Sequence, residues 1–445
     1  MGRKSRTRAL SIWANGVRVG TWRILPRGEM ELQYDEAWRA SEGGRPLSLS
    51  LPFGADNSPL RGAAVENYFD NLLPDSDGIR RRIAERFKTQ SLSAFDLLTA
   101  VGRDCVGAVQ LLPDHDKPEA VEKIEGTLLS EEEVAAHLRG IVSPRFPGYD
   151  DGEGFRISLA GMQEKTALLW HGGRWLLPHG ATPTTHILKL PLGRVGNMRA
   201  DFSTSVENEW LCMQLMEAFG LQVPRTAVLS FDGQKVLGVE RFDRLLDLSG
   251  RWIARLPQED FCQVYGLPHT RKYEADGGPG LQQIAGKLLN SERREEDIAT
   301  LMKAQVLFWM LAATDGHAKN FSIRLLPQGR YRLTPIYDVM SILPAMGDAP
   351  SQLRWHKAKL AMAVSGKNRH YLLKDIQRRH FNATARKAGY GPTAEPLIED
   401  ILSRLPGAIA AVASRLPAGF PQRVADTILN GLRASAERLA GMPPT

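Results

Sequence analysis

The sequence predicts an α+β fold in which a mixed N-terminal segment precedes a β-rich lobe and then a helical lobe. Three observations lead there. Short strand patterns separated by turn residues dominate residues 165–242, helical periodicity dominates from residue 281 onward, and the first hundred residues mix the two. At 445 residues and 43% hydrophobic content, the chain can bury more than one core. Residues 143–154 carry Pro144, Pro147 and several loop-prone Gly and Asp. That composition places a domain boundary near residue 150. The expected division is an N-terminal α/β domain at 1–150 and a second domain at 151–445, the latter split into a β-rich lobe to about 245 and a helical lobe from about 246.

Taken in order, Asn15-Gly16 between apolar flanks reads as a hairpin, because both residues tolerate the positive φ of a tight turn. Pro46-Leu-Ser-Leu-Ser-Leu-Pro52 alternates like a strand, and residues 75–87 read as a charged amphipathic helix. Beyond the boundary, 155–159 and 165–170 read as strands around a turn, and 184–190 and 236–242 as further strands. Residues 205–219 are expected to be helical. Residues 298–313 are apolar on nearly every side, the pattern of a buried helix. After them, 321–326 and 331–334 flank Pro327-Gln-Gly-Arg330, a hairpin pattern that returns the chain.

Composition narrows the function classes. No apolar run approaches the roughly 20 residues that span a bilayer, and the N-terminal apolar stretch is broken at Asn15-Gly16, so a cytoplasmic protein is expected. Cys105, Cys212 and Cys262 are too few and too widely spaced for a disulfide framework or a zinc site. The net charge of +7 is concentrated: residues 351–387 hold ten Lys and Arg against Asp375 alone, so the rest of the chain is net acidic. Such a patch suits nucleic acid, an acidic partner or phosphate, and equally a solvated face.

The chemistry is concentrated in Thr314-Asp-Gly-His-Ala-Lys-Asn320 and in Asp338. Phosphoryl transfer needs a carboxylate for the attacking hydroxyl, plus an amide oxygen and a second carboxylate for magnesium. The Asp315-x-x-x-x-Asn320 spacing matches the protein-kinase catalytic loop, and Asp338 takes the place of the later metal-binding acid. Asp and Asn also cap helices and fill turns. The β-rich-then-helical order agrees with a protein-kinase-like, two-lobed fold. On that basis the β-rich lobe should supply a lysine, a phosphate turn and an adenine edge. Lys189, in Thr185-His-Ile-Leu-Lys-Leu, is the candidate lysine, although strand lysines are usually solvated. Ala160-Gly161-Met162-Gln163-Glu164-Lys165 is the candidate phosphate turn, but it lacks the second glycine of a Walker loop and the three glycines of the kinase loop. Glu240-Arg241-Phe242 could form the hinge, or be an ordinary strand end.

Several longer segments resemble one family. Arg156-Ile-Ser158-Leu-Ala-Gly-Met-Gln-Glu-Lys-Thr166, Thr184-Thr-His-Ile-Leu-Lys189, Val239-Glu-Arg-Phe-Asp-Arg244, Leu256-Pro-Gln-Glu-Asp-Phe-Cys-Gln263, Tyr273-Glu-Ala-Asp-Gly-Gly-Pro-Gly280 and Ala313-Thr-Asp-Gly-His-Ala-Lys-Asn320 are similar to the HipA toxin kinases. Arg45–Pro52, Phe69–Ser76 and Val101–Val109 extend the resemblance to the N-terminal segment. It implies a serine/threonine-protein kinase, the toxin of a type II toxin–antitoxin pair, using ATP and Mg2+. It further implies Asp315 as the catalytic residue, Asn320 and Asp338 as metal ligands, and Lys189 on the phosphates. Glu240, Arg241 and Phe242 would border adenine, with His317, Lys319 and Tyr337 also in the ATP site. His317 stands two residues after Asp315, where many protein kinases have Lys. Ser158 would be an autophosphorylation site. The implied partners are a HipB-like helix-turn-helix antitoxin, operator DNA, and glutamyl-tRNA synthetase as the substrate whose loss arrests growth. Lys374, Arg378 and Arg379 are the candidate DNA contacts. The competing class is a catalytically idle co-repressor, against which Asp315, Asn320, Asp338 and Lys189 all argue. A P-loop NTPase leaves Asp315 unexplained.

Overall fold

The computed structural model describes residues 8–142, 158–196 and 199–444. The position near residue 150, and residues 155–157 of the expected strand, lie outside them. Ser158 and Leu159 are in no strand.

The N-terminal unit is built on a five-stranded antiparallel sheet in the order Leu60–Arg61, Met30–Tyr34, Val17–Ile24, Arg8–Ala14, Gln110–Pro113. Its first hairpin turns through Asn15 at φ 49° and Gly16 at φ 81°, the left-handed pair that a two-residue turn between twisted strands requires. Helices Ala63–Asp70 and Ala94–Val101 cover one face. There the Trp22 ring stacks on Phe69 with centroids 3.9 Å apart and tilts against Phe95. The helix Asp77–Phe87 begins where the Ser76 hydroxyl accepts the Ile79 N–H.

Residues 46–52 do not form the expected strand. Leu47 and Leu51 are buried, but the groups between them bond outward: Ser48 Oγ to the Glu259 carboxylate, Leu49 N–H to Glu259 at 2.8 Å and Ser50 Oγ to the Gln263 carbonyl at 2.7 Å. A buried acid from the second unit replaces the ladder partners a strand would need.

A second sheet has six antiparallel strands in the order Thr226–Phe231, Gln234–Glu240, His186–Lys189, Lys165–His171, Arg174–Pro178, Gly126–Leu128. The helix Glu131–Val142 packs on it through Val134, Ala135 and Leu138. This strand and helix precede residue 150 yet belong to the second sheet, whereas the first sheet ends at Pro113. Strand pairing thus passes from the first sheet to the second between 113 and 126.

The helix Ser205–Ala218 follows the central strand, and the helical lobe is organised around Arg294–Met310. In the latter, Ile298, Leu301, Met302, Val306, Leu307 and Met310 are each 2% exposed or less. A helix apolar all round is stable only when enclosed, and the helices Leu281–Leu288, Glu395–Ala413 and Gln422–Ala440 join its core. The expected hairpin pairs Ser322–Leu325 with Tyr331–Leu333, and Gln258–Asp260 adds a third strand. Among the described residues, no helix is long and apolar enough to cross a membrane.

Candidate active site

Lys189 sits on a central strand, opposite Lys165 on one side and Leu237 on the other. Its ammonium donates to Glu209 Oε1 at 2.6 Å and to the Asp338 carboxylate. Burial opposes the Lys189 charge, but the two acids outweigh it and raise its pKa above the ordinary lysine value. Burial likewise opposes ionisation of Asp338, and Lys189 with Lys165 overcomes it, holding that carboxyl well below the usual range. Lys165 is less well served. Burial and the like charge of Lys189 push it down to about 8, and its Nζ donates to the Ala160 carbonyl at 2.6 Å. Asp338 has φ 61°, a left-handed conformation uncommon for a residue with a side chain.

The buried helix ends in a turn at Ala312, φ 49°, and delivers Asp315 with its side chain 58% exposed. Tyr273 donates its hydroxyl to Asp315 Oδ1 at 2.5 Å, and Asn320 Nδ2 donates to the Asp315 carbonyl at 2.8 Å. Asp315 thus keeps a second carboxylate oxygen for a ligand, and the Asn320 amide keeps its oxygen as an acceptor. That oxygen and the Asp338 carboxylate form the hard donor set that suits Mg2+ beside phosphates. His317 packs edge-on to Tyr273 with ring centroids 5.1 Å apart, and burial depresses its pKa.

Lys165, Lys189, Glu209, Asp315, His317, Asn320 and Asp338 line one cleft between the lobes. Ile187, Met213, Val239 and Phe242 supply an apolar wall, and Asn71, Leu72 and Asp75 enter from the N-terminal unit. The candidate phosphate turn closes one side. Gly161 has φ 107°, a backbone conformation that residues with side chains rarely adopt, so the turn favours glycine there. The turn is pinned to the N-terminal unit where Asp75 N–H donates to the Gly161 carbonyl at 3.0 Å.

Comparison with known proteins identifies the family. The model of the HipA-like C-terminal domain matches residues 157–409, and that of the HipA N-terminal domain matches residues 10–112. The chain belongs to the HipA-like family of serine/threonine-protein kinases. "Putative kinase Y4mE" of Sinorhizobium fredii is 32% identical over 415 residues, 92% of each chain. The serine/threonine-protein kinase toxin HipA of Shewanella oneidensis is 28% identical over 327 residues, 70% of each chain. Among solved structures, the Shewanella oneidensis complex of HipA, HipB and its operator DNA has a chain of the same fold, with TM-score 0.79 and 22% identity. The match covers 97% of this chain and 98% of that one.

Within this HipA-like chain, Asp315, Asn320, Asp338, Lys189, His317, Tyr337, Glu240, Phe242, Ala160, Gly161, Met162, Gln163 and Lys165 converge on the cleft. Other sequence candidates sit differently. The Arg241 guanidinium points away into a buried network with Asp243 at 2.8 Å and Asp104 at 3.3 Å, so only its backbone can serve a hinge. Glu164 is paired with Arg82 on the far side of the turn. Lys319 borders the cleft, but its Nζ is held by Asp260 at 2.8 Å and Asn71 at 2.7 Å. Tyr337 donates its hydroxyl to the Lys319 carbonyl at 2.8 Å and faces Phe242 with its ring. Ser158 is fully buried, its hydroxyl donating to the Leu72 carbonyl at 2.7 Å. Of the three basic candidates, Lys374 and Arg379 are exposed. Arg378 is buried and engaged by Glu395 at 2.8 Å and by Glu399, which removes it as a ready phosphate contact.

Sequence inspection missed Glu209, Tyr273, Lys272 and Asp75. An acid on the first helix after the lysine strand was a usable signal for Glu209. The others come from loops 42 to 240 residues from Asp315 in the chain, and no local pattern links them to it.

Proposed function

We propose that the chain transfers the γ-phosphoryl group of ATP to a serine or threonine hydroxyl of a protein substrate. The observation that carries this reading is Lys189 bridging Glu209 and Asp338 in the same cleft that receives Asp315 and Asn320. Protein kinases assemble the same parts: a strand lysine paired with a helix glutamate, and two metal-holding groups near a catalytic aspartate. Lys189 and Lys165 would meet the phosphates, the apolar wall and Phe242 the adenine, and Asp315 the attacking hydroxyl. Bound Mg2+ would be held by Asn320 and Asp338 and would neutralise phosphate charge.

By analogy with the HipA toxin and the complex of HipA, HipB and operator DNA, the chain acts as a toxin with a HipB-like antitoxin on operator DNA; the family resemblance of the sequence further points to a cytoplasmic location and to glutamyl-tRNA synthetase as the substrate. We place the catalytic domain after the N-terminal unit that contributes Asp75. Exposed Lys374 and Arg379 would contact DNA phosphates, which position a protein without reading sequence. Ser158 would be autophosphorylated. Because its hydroxyl lies buried against Leu72, the turn must first leave the Pro74–Asp75 edge, and a phosphate at that position would prevent its return.

The decisive experiment is transfer of labelled γ-phosphate to purified glutamyl-tRNA synthetase and to a cell extract, with Asp315→Asn as control. Labelling of the synthetase that vanishes in the variant supports both activity and substrate. Labelling of another extract protein alone redirects the substrate, and no labelling by the intact chain overturns the kinase reading. Intact-mass analysis locating phosphate away from Ser158 overturns the autophosphorylation site.

A further inference from the structure

The position two residues after Asp315, where many protein kinases carry a lysine, is His317. Its ring is buried, its Nδ1 has no hydrogen-bond partner among the described residues, and burial disfavours its charged form. It is poorly suited to meet a phosphoryl group as a fixed cation. A different cation lines the same cleft. Lys272 comes from the loop before the helical lobe, and its carbonyl accepts the Ala318 N–H at 3.1 Å, which ties its backbone directly to the catalytic loop. Its side chain lines the cleft with Asp315, His317, Asn320 and Asp338. The next residue, Tyr273, is the one whose hydroxyl holds Asp315.

The Lys272 ammonium donates to Asp75 Oδ2 at 2.9 Å, with the two side chains 8% and 4% exposed. An ammonium carries three N–H donors, and Asp75 accounts for one. Asp75 Oδ1 is buried and has no hydrogen-bond partner among the described residues, 3.8 Å from Lys319 Nζ. Both residues line the cleft, which leaves the other donors of the Lys272 ammonium available to a ligand there. Asp75 also holds the phosphate turn, through its own N–H to Gly161.

We propose that Lys272 is the catalytic cation that contacts the transferred phosphoryl group, and that Asp75 of the N-terminal unit is its positioning residue. The inference rests on the kinase reading given above. As the substrate oxygen bonds to the γ-phosphorus, the bond from that phosphorus to the β–γ bridging oxygen breaks. The hydroxyl proton passes to Asp315, ADP departs with the bridging oxygen, and Lys272 keeps its protons throughout. Its charge faces the equatorial oxygens, where negative charge is spread in the transition state. The N-terminal unit is then part of the catalytic apparatus, since it supplies the acid that fixes this cation.

The test uses the full chain, ATP and a protein substrate that the intact chain phosphorylates. For Lys272→Met, kcat should fall about 10²–10³-fold, the scale of losing one fixed electrostatic group, while KM for ATP changes less than about threefold. Lys272→Arg should recover part of the loss. Asp75→Asn, nearly unchanged in volume, should lower kcat about tenfold, and adding it to Lys272→Met should cost nothing further, as expected for residues acting as a unit. Wild-type kcat in Lys272→Met, with Asp315→Asn inactive, overturns this proposal and leaves the kinase reading standing. Wild-type activity in Asp315→Asn overturns the kinase reading itself. Should Lys272→Met fail to fold, Asp75→Asn decides: lower kcat with ATP affinity retained supports the proposal, and unchanged kcat overturns it.

Discussion

Two clusters of buried charge sit close together in this molecule and are built on opposite principles. At the junction of the units, Asp104 meets Arg241 at 3.3 Å, Arg244 at 2.8 Å and Arg255 at 3.2 Å, while Asp243 meets Arg241 at 2.8 Å and Arg244 at 3.0 Å. The Thr184 hydroxyl and Gly107 N–H supply further donors. Every one of these five charged side chains is under 10% exposed, and the carboxylates are saturated from within the protein. In the cleft, by contrast, Asp338 is 37% and Asp315 58% exposed, and Lys165 has a carbonyl rather than an acid for hydrogen-bond partner. Buried charge by itself therefore says little about function. The informative property is valence left open toward a space that a ligand can enter.

The two clusters should respond differently to removal of a charge. Asp315→Asn should lower phosphoryl transfer by about 10³-fold or more, toward the upper range for loss of a general base, with an unchanged melting temperature. Retained transfer would mean that the open cluster is not catalytic. Asp104→Asn should do the reverse. It leaves Arg241 and Arg244 with Asp243 alone and takes from Arg255 the acid it pairs with, so about 3–5 kcal/mol of stability should be lost in denaturant titration. ATP affinity of the folded fraction should stay the same. A variant as stable as wild type would show that water or relaxation can replace the closed network.

Asp338→Asn should weaken nucleotide binding at least tenfold in Mg2+ but much less in EDTA, because it removes one donor oxygen while sparing the cleft. Calorimetry with and without the metal measures the difference, and equal losses would assign Asp338 to holding Lys189 only. The smallest effect concerns Lys165. With its pKa pushed down to about 8, it is charged below that pH and loses its proton as pH rises through it. ATP affinity should be level below pH 8 and decline several-fold between pH 8 and 9.5, since a one-unit shift is worth about 1.4 kcal/mol. Lys165→Met should bind more weakly throughout and abolish that decline. The sign for stability is opposite: the unfolded lysine holds its proton to higher pH, so this group's destabilisation fades between pH 8 and its ordinary value near 10.5.

The sequence by itself determined what depends on neighbours in the chain. Asn15-Gly16 specified its hairpin, and the apolar run at 298–313 specified an enclosed helix, found at Arg294–Met310. Four-residue and two-residue periodicities are local, so local physics suffices for them. Pro46–Pro52 had the alternation of a strand, yet it became a turn because a buried glutamate two hundred residues away offered its hydroxyls and amides better partners. The tertiary structure alone decided which charges face each other. It turned Arg241 and Arg378 inward to acids, left Lys374 and Arg379 outside, and brought Glu209 to Lys189, Tyr273 to Asp315 and Asp75 to Lys272. The strength of a charge pair depends on distance and on exclusion of water, and both are set only once the two units and the two lobes have closed on one another.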